Sequence, residues 1–156
     1  MEITIADWAF QVDAAATFRA TTQYSLDHCT CGYCKNYYEA APLTYPELVE
    51  FLSQFGVEFH GPIEVMPYLP TCILSCYRVQ GQITKFGSQP IFAGEVMITP
   101  EAENESSFVL WAGEMMLPWL QQEPEEDVVS PANLPEFMDR MEEVWLLRHG
   151  PESIMS

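Results

Sequence analysis

From residue 63 to residue 115 the chain reads as a succession of short strands. The spans 63–68, 72–84, 90–98 and 108–115 are each rich in β-branched or aromatic residues, and turn formers bound every one. Short strands that follow one another without long helical intervals pair most simply as a mainly antiparallel sheet. The polar, acidic stretch 99–106 between the last two reads as an exposed loop.

A sheet needs its apolar face covered, and the sequence supplies helices for this. Leu48, Val49, Leu52 and Phe55 recur at helical spacing behind Pro46, with Gly56 as a stop, which predicts a helix over 46–55. A second, short helix is expected to begin near Cys34 and end before Pro42. At the amino end Trp8, Phe10 and Val12 alternate with smaller or polar residues. Phe18, Ala20, Thr22 and Tyr24 do the same after Asp13-Ala14-Ala15, so two further antiparallel strands are expected.

The expected fold class is therefore α+β: five to six mainly antiparallel strands packed by two or three helices, in one domain spanning 1–156. Residues 121–133 contain Pro124, Pro131, Glu123, Glu125, Glu126 and Asp127 and read as an acidic linker. Beyond it Phe137, Met141, Val144 and Trp145 share a helical face and Gly150-Pro151 ends the pattern, which predicts an amphipathic helix at about 134–148.

Twenty-three acids stand against six bases, a net charge of −17. Such a field repels phosphate backbones and anionic membrane surfaces, so direct nucleic-acid binding and membrane association are disfavoured. The charge is uneven, with 13 acids and 2 bases in 101–156 against 10 acids and 4 bases in 1–100. No apolar run reaches the roughly 18 residues of a bilayer span. The start Met1-Glu2-Ile3-Thr4, with Asp7 following, lacks a basic signal-peptide region. A cytoplasmic protein is expected.

Five cysteines, an odd count without an export signal, point to reduced thiols or a metal site in preference to a disulfide framework. Three of them crowd with a histidine into the stretch His28-Cys29-Thr30-Cys31-Gly32-Tyr33-Cys34. One reading is packing, with small thiols at a tight turn and helix start and Asn36 bonding nearby backbone. A second is zinc: Cys31-Gly32-Tyr33-Cys34 is a hook that lets two thiolates converge, Cys29 or His28 adds a third ligand, and the fourth is missing. Cys72 and Cys76 lie too far apart along a strand for both to join, and His60 beside Gly61-Pro62 reads as a loop residue. A third is thiol redox chemistry through Cys31 and Cys34 at a helix amino terminus, with Lys35 nearby. The polar segment entering the motif argues against it.

The run Cys-x-Cys-x-x-Cys-x-Asn-Tyr with Glu39-Ala40-Ala41, then Phe55-Gly56-Val57, Glu64 and Tyr68, resembles a group of uncharacterised bacterial cytoplasmic proteins over residues 27–68. That resemblance implies a small domain of the bacterial cytoplasm and brings no activity with it.

No phosphate-binding glycine loop and no nucleophile elbow occurs. Paired acids such as Glu125-Glu126 and Glu142-Glu143 sit in solvated runs that would not split their pKa values. The apolar block 115–120 serves either as core or as an exposed binding patch. The leading function is a non-enzymatic interaction domain whose acidic surface, richest from Glu101 to Glu143, masks or neutralises a basic protein; the alternative is a zinc-binding domain using Cys29, Cys31, Cys34 and His28, and the third a thiol redox protein through Cys31 and Cys34.

Overall fold

The computed structural model describes residues 1–26, 31–69 and 72–120. The chain divides into two compact units, Met1–Gln122 and Glu123–Ser156, and the fold below is that of the first. The expected linker at 121–133 and helix at about 134–148 lie outside the described residues, as do His28 and Cys29.

The fold is α+β. Strands β1 (Glu2–Ile5) and β2 (Trp8–Val12) precede helices α1 (Ala14–Leu26), α2 (Gly32–Thr44) and α3 (Pro46–Gln54). Strands β3 (Glu64–Leu69), β4 (Cys72–Lys85), β5 (Ile91–Ala93), β6 (Val96–Ala102) and β7 (Ser107–Met116) follow. All seven form one antiparallel sheet in the order β1-β2-β4-β7-β6-β5, with β3 also on β4. β4 is the spine: β7 lines one edge, while β3 and β2 take the first and second halves of the other.

The second amino-terminal strand is corrected to a helix. Asp13 caps it, its Oδ1 accepting from the Ala16 N–H at 3.0 Å. The buried residues are not the alternating aromatics but Thr17 and Thr21, one turn apart. Thr17 Oγ1 accepts the Gln80 N–H at 2.9 Å and Thr21 Oγ1 accepts the Glu58 N–H at 2.8 Å, so α1 docks through hydroxyls. Phe18, Tyr24 and Leu26 are left exposed.

Three boundaries also differ. The span 90–98 is a hairpin, β5 and β6, broken at Gly94, whose φ of +61° is a left-handed turn conformation. The loop 99–106 is shorter than expected, because Thr99 to Ala102 still pair with β7. Pro100 is tolerated there because β5 covers only Val96 to Ile98, leaving β6 an edge at the proline. Helix α2 runs through Pro42 to Thr44, held by the Tyr45 N–H on Ala41 O at 2.7 Å and by Thr44 Oγ1 on Ala40 O at 2.8 Å.

The core lies between the helices and one sheet face. Phe10 of β2 meets Phe55 and Phe108 with ring centroids 5.3 Å from each. In α2 the buried residues Tyr33, Cys34, Asn36, Tyr37, Ala40 and Ala41 form an unbroken stripe at helical spacing. Among the described residues no helix is long and apolar enough to cross a membrane.

Candidate functional site

Two regions merit weighing, the thiol motif and a groove flanked by α1, α3 and the loop after α3. Cys31 is the N-cap residue of α2, extended at φ −66° and ψ 163°, and exposed; Cys34 is in the first turn and buried. It lies in the buried stripe of that helix.

Asn36 of the same motif reaches far along the chain. Its Nδ2 donates to Pro118 O at 3.0 Å and its Oδ1 accepts the Leu120 N–H at 2.7 Å, as a neighbouring strand would. Tyr33 sets its ring edge-on against Trp119 at 5.3 Å, and the Tyr45 hydroxyl bonds both the carbonyl and the N–H of Met116. The ends of α2 thus clasp 116–120. The apolar block divides accordingly: Met115 and Leu117 are buried, Met116 and Leu120 exposed.

Cys72 and Cys76 belong to the other side of the sheet. Tyr37 of α2 bonds Ser75 and Tyr77, so the odd-numbered positions of β4 face the helices, and alternation turns Cys72 and Cys76 away from α2. Burial raises both thiol pKa values, helped at Cys72 by Glu114 and at Cys76 by Glu64 and Glu101. They stay protonated, and neither is placed to share an ion with Cys31 and Cys34. Among the described residues no three His, Cys, Asp or Glu side chains gather as metal ligands.

Behind α2 a buried hydroxyl chain ties the layers together. The Tyr37 hydroxyl lies 2.9 Å from Ser75 Oγ and 2.6 Å from the Tyr77 hydroxyl, which donates to Phe59 O at 2.7 Å. Burial holds both phenols far above their ordinary pKa. They are neutral at any physiological pH, and the chain fixes Phe59, the residue before His60.

That loop borders a groove of roughly 470 Å³. Its apolar walls are Phe18 of α1, Pro42 of α2, Val49 of α3, and Val57 and Phe59 of the loop. Its polar members include Ser53, Glu58 and His60. Glu58 Oε1 accepts the His60 N–H at 3.1 Å and meets His60 Nδ1 at 2.5 Å, while the imidazole lies against Tyr38 at 5.5 Å. Backbone contact keeps the walls in place: a Cβ on Gly56 would overlap Ala14, and one on Gly61 would overlap the Thr21 carbonyl.

Sequence reasoning missed this groove because its residues come from three helices and a loop, and because Phe18 was assigned to a strand. The signal available was Asp13 before three alanines, a cap and helix start that would have put Phe18 on a helix surface. Comparison of the chain with family models, curated proteins and solved structures finds no match.

Proposed function

We propose that this chain is an acidic, non-enzymatic interaction domain of the bacterial cytoplasm that engages a basic protein and masks or neutralises it. The observation that carries the reading is charge, 23 acids to 6 bases and a net −17, on a chain that also leaves Phe18, Leu26, Leu43 and Met116 exposed. Acidity alone serves solubility. Acidity joined to uncovered apolar side chains suits association, in which the field speeds encounter and apolar burial holds the complex. The same field disfavours direct contact with nucleic acid. The test is to titrate the full chain with a panel of small basic proteins, nucleases included, over a salt series. The reading expects at least one saturable complex that weakens steeply with salt; no complex, or one indifferent to salt, refutes it.

A second reading has one observation in its favour, the placement of Cys31 and Cys34 within one turn at the start of α2. In this reading those thiolates hold zinc together with Cys29 and His28. Protein purified without chelator would then carry one equivalent of zinc, released when Cys31 is changed to Ser. Metal-free protein with normal stability contradicts it.

A further inference from the structure

We infer that the groove flanked by α1, α3 and the 56–60 loop receives a segment of the basic partner that presents a large apolar side chain flanked by lysine or arginine. The inference rests on the acidic-domain reading and gives it a docking site.

The apolar requirement comes from the walls. Phe18 is 53% exposed, a ring on a helix surface that covers no core, and it lines the groove with Pro42, Val49 and Phe59. Leu43, next to Pro42, is 77% exposed. A space of roughly 470 Å³ falls within the usual range of about 300 to 1,000 Å³ for ligand-sized clefts. It suits one or two side chains better than a whole folded element.

The basic requirement comes from the polar members. Glu58 is the only charged side chain among the described lining residues, which include no lysine or arginine. Glu58 also orients His60, and its second carboxylate oxygen remains to meet a lysine or arginine N–H. Beside the lining, Glu50 adds an exposed carboxylate next to Val49, and Arg19 an exposed cation next to Phe18. An anionic amphiphile would meet these acids and the net −17 field with no cation in the lining to offset them.

The walls are built in advance. Gly56 rests on Ala14, Gly61 rests on Thr21, and the Glu58 N–H is bonded to Thr21 Oγ1 at 2.8 Å. A preformed groove spares the ordering cost that a loose surface would incur on binding.

The experiment uses the full chain and a fluorescent amphipathic peptide with two leucines one helical turn apart among lysines, alongside the same peptide with serines in place of the leucines. Phe18→Ser removes the wall, and Ser53→Arg fills the groove and adds a repelling cation; both positions are exposed, and an unchanged melting temperature confirms folding. Each variant should weaken binding of the leucine peptide about thirtyfold, a single hot spot's worth, and the serine peptide should bind the unaltered chain no better than the variants bind the leucine peptide. Folded variants that bind the leucine peptide as tightly as the unaltered chain, with the usual loss at high salt, overturn the groove and leave the acidic-domain reading standing. Absence of salt-sensitive binding by either peptide overturns both.

Discussion

Asn36 Oδ1 accepts the backbone N–H of Leu120 at 2.7 Å, joining residues 84 positions apart in the chain. With Nδ2 on Pro118 O, one side chain satisfies both a donor and an acceptor of the segment leaving the sheet. The asparagine that accompanies the cysteines is thus the link between the thiol motif and the approach to the acidic carboxyl-terminal region.

Replacing Asn36 by Leu removes both bonds and leaves the backbone groups of residues 118 and 120 without this partner. A loss of about 2 to 4 kcal/mol is expected, from two orphaned groups at about 1 to 3 kcal/mol each with partial rescue by water. Urea unfolding measures it. Asn36→Asp keeps the acceptor for Leu120 but sets a carboxylate oxygen against the Pro118 carbonyl at a buried position, so at neutral pH it should cost at least as much as Asn36→Leu.

The hydroxyl chain predicts non-additivity. Tyr77→Phe strips Phe59 O of its donor and Tyr37 of a partner, and should cost about 1 to 3 kcal/mol. The double variant Tyr37→Phe with Tyr77→Phe should cost less than the two singles summed, since both remove the 2.6 Å contact. The raised phenol pKa values also set an alkaline limit. Folded pKa above unfolded means a stabilising contribution that is complete below the ordinary tyrosine value of about 10 and is lost as pH climbs past it. Unfolding above that pH should coincide with the rise in tyrosinate absorbance.

At the other end of the pH scale the group to watch is Asp7. The backbone N–H groups of Ser88 and Gln89 hold its carboxyl down from 3.8 to about 2, and the Ser88 hydroxyl adds a further bond. A depressed folded pKa means stability that is present above the unfolded value and lost as pH falls toward about 2. Melting temperature against pH should drop between pH 4 and 2 in the unaltered chain, and Asp7→Asn should flatten that part of the curve.

How much of this was legible in the chain depends on what each element buries. β2, β4 and α3 declare themselves because their buried positions are apolar: Phe10 and Val12 alternate, and Leu48, Leu52 and Phe55 repeat with the helix. α1 was misread because its buried side chains are threonines bonded to backbone, while the aromatics that set the visible alternation face out. Hydropathy carries no record of a helix that docks through hydroxyls. The cysteine motif was conspicuous, yet two bonds of its asparagine reach Pro118 and Leu120, more than 80 residues on, where no local pattern points back to it.

Two glycines carry a prediction of their own. Gly61→Ala would drive a methyl into the Thr21 carbonyl and force α1 off the loop. A cost of about 1 to 3 kcal/mol is expected, as for an overpacked core, with weakened peptide binding because Phe18 moves with α1. Gly87→Ala, which crowds Asp7 and Trp8, neither of them a lining residue of the groove, should destabilise the fold without altering binding in the protein that remains folded.

The most direct measurement is amide chemical-shift mapping of the isotopically labelled full chain as the leucine-lysine peptide is added at low salt. The account predicts the largest shifts at Phe18, Val49, Ser53 and His60, saturating along a single binding curve. Shifts confined to the acidic stretch 101–105 or scattered over the surface, with those four amides unmoved, would contradict it.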